Sequence, residues 1–182
     1  MIILASASPR RKELLTKIIP NFKICPSEIK EEIPNNISAL DSAQYLAVKK
    51  AMEIHTKYPN DTIIGADTAI VLNNKIYGKP KNKSDAKNML LEFSGKKHHV
   101  ITGVCIINKE KSISFSSINE VEFYELEDKE IDAYLSLDEY KDKAGSYAIQ
   151  GQANLFIKKI NGDYNSIIGL PISQIYQLLK KF

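Results

Sequence analysis

The strongest constraint on this chain is the order of its apolar segments. Short apolar runs and amphipathic helical segments interleave at both ends, and two long β-rich runs lie between them. Ile2 to Ala5 reads as a buried strand. Ser8-Pro9 reads as a helix start, with serine as N-cap and proline at the first helical position, followed by an apolar face of Leu14, Leu15, Ile18 and Ile19. Phe22 to Pro26 reads as a strand, the acidic stretch from Glu28 to Pro34 as a loop, and Ser38 or Asp41 as the cap of a long helix reaching Lys57. Leu46, Ala47, Met52 and Ile54 are that helix's inward candidates.

Thr62 to Leu72 reads as a strand broken at Gly65-Ala66-Asp67, with Asn73-Asn74 as a hairpin turn before Lys75 to Tyr77. Ser84 is the expected cap of a helix to Phe93. The β-rich runs are Val100 to Ile107 and Ile113 to Tyr124. A helix over Glu127 to Leu135, strands over Tyr147 to Ile149 and Asn154 to Ile160, and a helix from Pro171 complete the reading. This order favours an α/β or α+β fold with a mixed sheet over a doubly wound parallel one.

The 182 residues contain no Pro/Gly/Ser-rich linker, so one domain spanning 1–182 is expected. Lys+Arg total 25 and Asp+Glu 22, a net charge of +3 that argues against nucleic acid or an acidic membrane as partner. No apolar run approaches the roughly 18 residues of a membrane helix. The N-terminal basic cluster follows the apolar run, the reverse of a signal peptide, which points to the cytoplasm. Cys25 and Cys105, far apart and outside any zinc-type spacing, read as buried thiols.

Four segments carry candidate chemistry. Ser6-Ala7-Ser8-Pro9-Arg10-Arg11-Lys12 runs a small-residue turn into a helix start and places cations at that N-terminus, where they are unfavourable unless an anion joins them. The two guanidinium forks suit phosphate. The alternative is a capped helix with a solvated basic first turn. Asp67-Thr68 interrupts an apolar run, and an aspartate there is costly unless it is paired or functional. It can hold a cation or take a proton from water, or it can be paired with Lys79 or Arg11.

Gly78-Lys79-Pro80 limits where an ammonium can go, though a solvated loop lysine fits equally. Tyr147 to Gly151 includes Gln150, which offers a donor and an acceptor to a nucleobase edge or is simply part of a turn. Lys49-Lys50 reads as solvated, and His98-His99 as a satisfied or exposed pair rather than a metal site.

Five blocks, LASASPRRKELL, YLAVKKA, GADTAIVLNNKIYGKP, SGKKHHVITG and YAIQGQANLFIKKINGDYNSIIGLP, together resemble the Maf family of nucleoside triphosphate pyrophosphatases, from Leu4 to Pro171. Ala69-Ile70 departs from a more usual Val-Val. The resemblance implies a fold like that of inosine triphosphate pyrophosphatases: an elongated mixed β-sheet with flanking helices and a central cleft. It implies hydrolysis of a nucleoside triphosphate to the monophosphate and pyrophosphate with Mg²⁺ or Mn²⁺.

Asp67 is then the implied proton acceptor. Ser8, Arg10, Arg11 and Lys79 are implied phosphate contacts, and the lysine of the helix motif falls on Lys50. Glu31 is the implied metal-binding acid beside Asp67, with Glu28 or Glu32 as alternatives. Arg10, Thr68 and Gln150 resemble the branch that acts on dTTP and UTP, with modified pyrimidine nucleotides as further candidates. The family's older association with septum formation leaves a non-enzymatic regulator of cell division as the alternative. β-rich edges and the resemblance are compatible with a homodimer.

Overall fold

A computed structural model describes residues 1–182. The chain is a mixed α/β protein of seven strands, β1 (Ile2–Leu4), β2 (Lys23–Ile24), β3 (Thr62–Leu72), β4 (Lys75–Tyr77), β5 (Lys97–Ile107), β6 (Ser112–Phe123) and β7 (Ile157–Asn161). They form a sheet of order β2-β1-β3-β5-β6-β7, with β4 paired to β3. Two compact units share it. The first comprises Met1–Thr68, Ile101–Ser117 and Asp163–Phe182, the second Ala69–Val100 and Ile118–Gly162. No helix is long and apolar enough to cross a membrane.

The first unit is built on parallel pairing. Strand β1 (Ile2–Leu4) lies between β2 (Lys23–Ile24) and β3 (Thr62–Leu72), parallel to both, with Ile3 opposite Ile63. Helix α1 (Pro9–Thr16) follows β1 with Ser8 as its N-cap, and helix α2 (Ser42–Lys57) precedes β3. The apolar stripe Ala43, Leu46, Ala47, Ala51 and Ile54 recurs at three- and four-residue spacing and is buried. Ala51 and Ile54 pack with Ile3, Ala5, Ile63 and Cys105 in one core cluster. Met52, expected inward, is 54% exposed because it falls off that stripe.

Two glycines set how closely α2 rides on the strands. A Cβ at Gly65 of β3 would lie 2.5 Å from the Ala47 carbonyl oxygen and 2.8 Å from Ala51 Cβ. One at Gly103 of β5 (Lys97–Ile107) would collide with the backbone of Ala43 and Gln44. Gly65-Ala66-Asp67 therefore does not break β3, which runs uninterrupted for 11 residues. The glycine serves close approach of helix backbone to strand.

The second unit is antiparallel. Asn73 (φ 51°) and Asn74 (φ 63°) form the hairpin turn expected of them, and β4 (Lys75–Tyr77) pairs back on β3 with Ile76 opposite Val71. Helix α3 (Lys83–Phe93) is capped by Asn82, whose side chain accepts from the Asp85 N–H, not by Ser84. Strand β6 (Ser112–Phe123) pairs antiparallel with β7 (Ile157–Asn161).

Helix α4 (Asp128–Ser136) begins with a capping box between Glu127 and Glu130. Tyr147 to Ile149, expected as a strand, has no ladder partner. It follows a 3₁₀ turn over Ala144–Ser146 and is held by buried side chains. A second 3₁₀ turn, Gln152–Phe156, takes the first part of the segment expected as one strand to Ile160. Back in the first unit, the short helix α5 (Tyr164–Ile168), which has no apolar periodicity to announce it, precedes α6 (Ile172–Leu179).

Candidate active site

In the first unit the turn after β1 fixes a guanidinium before any ligand arrives. Ser8 Oγ accepts from the Arg11 N–H at 3.4 Å and caps α1. The Arg11 side chain donates from Nε to the Gly169 carbonyl (2.9 Å), from Nη1 to Ser6 Oγ (3.2 Å) and from Nη2 to Thr68 Oγ1 (3.1 Å). All three acceptors are neutral, so the cation is positioned without being neutralised. Loss of hydration lowers its pKa from the ordinary arginine value, and Asp67 opposes that shift. Arg10 is half-buried, its pKa likewise lowered by loss of hydration, and it forms no ion pair. One arginine is thus built into the frame, and its neighbour is available to a ligand.

Asp67 is positioned from β3 and Lys50 from α2. Lys50 lies on the buried stripe of the helix, between Ala47 and Ala51, where an apolar residue belongs by pattern. The close approach permitted by Gly65 brings its Nζ to 2.6 Å from Asp67 Oδ1 and 2.6 Å from Glu31 Oε1. Asp67 therefore pairs with Lys50, and neither Lys79 nor Arg11 is its direct partner. Burial raises the Asp67 carboxyl above its ordinary value, against the pull of Lys50 and Arg11. The result is a carboxylate made more basic by burial and held in a fixed place.

The loop that supplies Glu31 is anchored to the same helix. Glu53 Oε2 accepts from Ser27 Oγ (2.6 Å) and from the Glu28 N–H (3.0 Å), and Glu53 Oε1 pairs with Lys57. Among the acidic candidates of that loop, Glu31 is the one that reaches Lys50, while Glu28 contributes its backbone. Two carboxylate oxygens, from Glu31 and Asp67, thus converge on the Lys50 ammonium.

The second unit carries Lys79 and Gln150. Lys79 is exposed, with its Nζ 3.7 Å from Asp142. Gln150 is exposed on a turn closed by the Gly151 N–H donating to the Ala148 carbonyl. The residues before this turn are tightly held. The Gly145 N–H donates to the Gly78 carbonyl (3.0 Å), and Tyr134 Oη donates to the Ser146 carbonyl (3.0 Å). Tyr147 Oη lies 2.7 Å from His98 Nε2. Gly145 is at φ 65°, and a Cβ there would meet Ile70 and Phe93.

His98, stacked on Phe93 and edge-on to Phe123, is buried, with Nε2 paired to Tyr147 Oη and Nδ1 without a hydrogen-bond partner. Burial pushes its pKa down from 6.5 to about 3, with a smaller contribution from His99.

Ser6, which opens the first candidate segment of the sequence, also belongs to these networks, together with Thr102 and Gly169. The sequence singled out neither Thr102 nor Gly169, because their partners are remote in the chain.

The family of Maf-like proteins matches residues 1–182, the whole chain. The chain belongs to the Maf family. Among its Maf relatives, a protein of Pyrococcus abyssi (strain GE5 / Orsay) named dTTP/UTP pyrophosphatase is 48% identical over 180 residues, covering 99% of this chain and 95% of the relative. One of Bacillus cereus (strain Q1) with the same name is 48% identical over 181 residues, covering 100% and 95%. The Maf fold extends further. The Ham1 protein of Staphylococcus aureus superposes with a TM-score of 0.57 at 14% identity, over 99% of this chain and 98% of that one. A HAM1 protein from Coxiella burnetii gives 0.58 at 13%, over 100% and 98%.

Proposed function

We propose that this protein is a dTTP/UTP pyrophosphatase that hydrolyses the bond between the α- and β-phosphates. The observation that supports it most is the pairing of Asp67, raised by burial, with Lys50 at 2.6 Å beside the internally held guanidinium of Arg11. The full-length similarity to proteins named for that activity supports the substrate class, and a purely regulatory role is not favoured.

In this reading Asp67 orients a water molecule and takes its proton as the oxygen attacks the α-phosphorus. The new bond joins water oxygen to the α-phosphorus, the anhydride bond to the bridging oxygen breaks, and pyrophosphate carries away the electron pair. Asp67 then returns its proton to solvent. Arg10, Arg11, Lys50 and Lys79 counter charge on the phosphate oxygens, which is most of what protein groups contribute to phosphoryl transfer. Ser8 has an uncommitted hydroxyl proton for a phosphate oxygen, since its cap contact uses a lone pair. Thr68 and Gln150 are the residues we assign to base contact.

Glu31, and Asp67 with it, would hold a divalent cation, Mg²⁺ or Mn²⁺, through carboxylate oxygen. Bound there, it supplies charge neutralisation for the triphosphate.

A panel of nucleoside triphosphates with Mg²⁺ or Mn²⁺, both products identified, tests the proposal. Monophosphate plus pyrophosphate from dTTP and UTP, abolished by chelator, is the expected result. Orthophosphate as the product, or no turnover of either nucleotide, contradicts it.

A further inference from the structure

Behind Thr68 runs a chain of hydrogen bonds whose direction is fixed at both ends. Arg11 Nη2 donates to Thr68 Oγ1 at 3.1 Å, Thr68 Oγ1 and Thr102 Oγ1 are 2.9 Å apart, and Thr102 Oγ1 donates to the Ser166 carbonyl at 2.7 Å. A guanidinium only donates and a carbonyl only accepts, and each hydroxyl has one proton. The Thr102 proton is committed to Ser166. The proton between the two threonines is therefore that of Thr68. Thr68 also receives a hydrogen bond from Arg11, so its proton and one lone pair are engaged. What it still offers is the second lone pair.

Thr102 is fully buried and has no water to turn toward, whereas Thr68 is half-buried at the edge of the network. The network is anchored twice on the segment around α5, at the Ser166 carbonyl and at the Gly169 carbonyl that accepts from Arg11 Nε (2.9 Å). Neither end can reverse without leaving a buried polar group unpaired, which is costly.

We propose that Thr102 is a positioning residue that makes Thr68 an obligate hydrogen-bond acceptor, so that the base edge it meets must present an N–H. Uracil and thymine present one at N3. Cytosine at neutral pH presents a lone pair there, and two lone pairs then face each other. The inference rests on the reading of the protein as a dTTP/UTP pyrophosphatase with Thr68 facing the base, and it assigns the selection against cytosine to proton direction rather than to pocket size. In Thr102→Val the shape is kept, the acceptor behind Thr68 is lost, and the Thr68 proton becomes free to turn toward a base.

The test compares kcat/KM for UTP, CTP and N3-methyluridine triphosphate in the wild type, Thr102→Val and Thr102→Ser. The wild type is expected to prefer UTP and to reject the N3-methyl analogue. Thr102→Val is expected to lower the UTP-to-CTP ratio by about tenfold, the scale of one hydrogen bond exchanged, and Thr102→Ser to restore it. A Thr102→Val protein that loses activity on UTP and CTP alike, with the ratio unchanged, overturns the inference. So does a wild type that takes the N3-methyl analogue as readily as UTP, an arm that needs no variant to fold. A wild type inactive on both UTP and dTTP overturns the underlying reading instead.

Discussion

At the scale of single residues, the chemistry rests on charges placed where apolar side chains would ordinarily be. Asp67 and Lys50 are both largely buried, their side chains only 13% and 11% exposed, and each satisfies the other. Asp67→Asn keeps shape and hydrogen-bonding capacity but cannot take a proton. Its kcat on dTTP should fall by about 10²-fold or more, measured by pyrophosphate release, with an unchanged circular dichroism spectrum.

His98 is a second misplaced ionisable group, and its effect is on stability. Facing Phe93, Phe123, Tyr147 and the nearby His99, it is held neutral, its pKa about 3 in the folded chain against 6.5 unfolded. The unfolded state therefore binds the proton first as pH falls. The stabilising contribution is complete above 6.5 and drains away between 6.5 and about 3. The slope approaches about 1.4 kcal/mol per pH unit. Urea unfolding from pH 7.5 to 4.5 should show this slope and its loss in His98→Gln; equal slopes for the two proteins would contradict the assignment.

Asp67 was legible because an aspartate within Thr62–Leu72 breaks an apolar pattern, whereas Lys50 reads as a solvated helix lysine and only the family resemblance raises it. The structure instead puts it on the buried face with Ala43, Leu46, Ala47, Ala51 and Ile54. Thr102 was not legible. A threonine is ordinary in a strand, and its partners lie 34 and 64 residues away.

At the scale of elements, the decisive contact is α2 on β3. Gly65 allows it, and the stripe of alanines on α2 answers it from the other side. Gly65→Ala should push the helix outward, costing about 1–3 kcal/mol by overpacking and moving Lys50 from Asp67. A lowered Tm together with a drop in kcat is expected, and an unaltered kcat would show that the approach does not set the ion pair. The same glycine explains why the sequence suggested a broken strand, since glycine marks a bend and a close approach alike.

Other element-level differences have similar local causes. Asn82 and Ser84 are both good N-caps, and only the Asn82 carbonyl oxygen reaches an N–H, that of Asp85. Tyr147 to Ile149 has the composition of a strand, but its order comes from Gly145 against Gly78 and Tyr147 against His98.

At the scale of the molecule, each unit is assembled from separated segments, three in the first and two in the second. No linker marks their junctions, because β3, β5 and β6 pass from one unit to the other. A chain organised this way reads as one continuous mixed sheet, and that much was legible from the alternation of runs. The measurement bearing most directly on the proposed reaction follows an oxygen atom. Hydrolysis of dTTP in ¹⁸O-labelled water should place the label in dTMP and none in pyrophosphate, because water oxygen joins the α-phosphorus. Label in pyrophosphate, or in orthophosphate released from the γ position, would contradict the account.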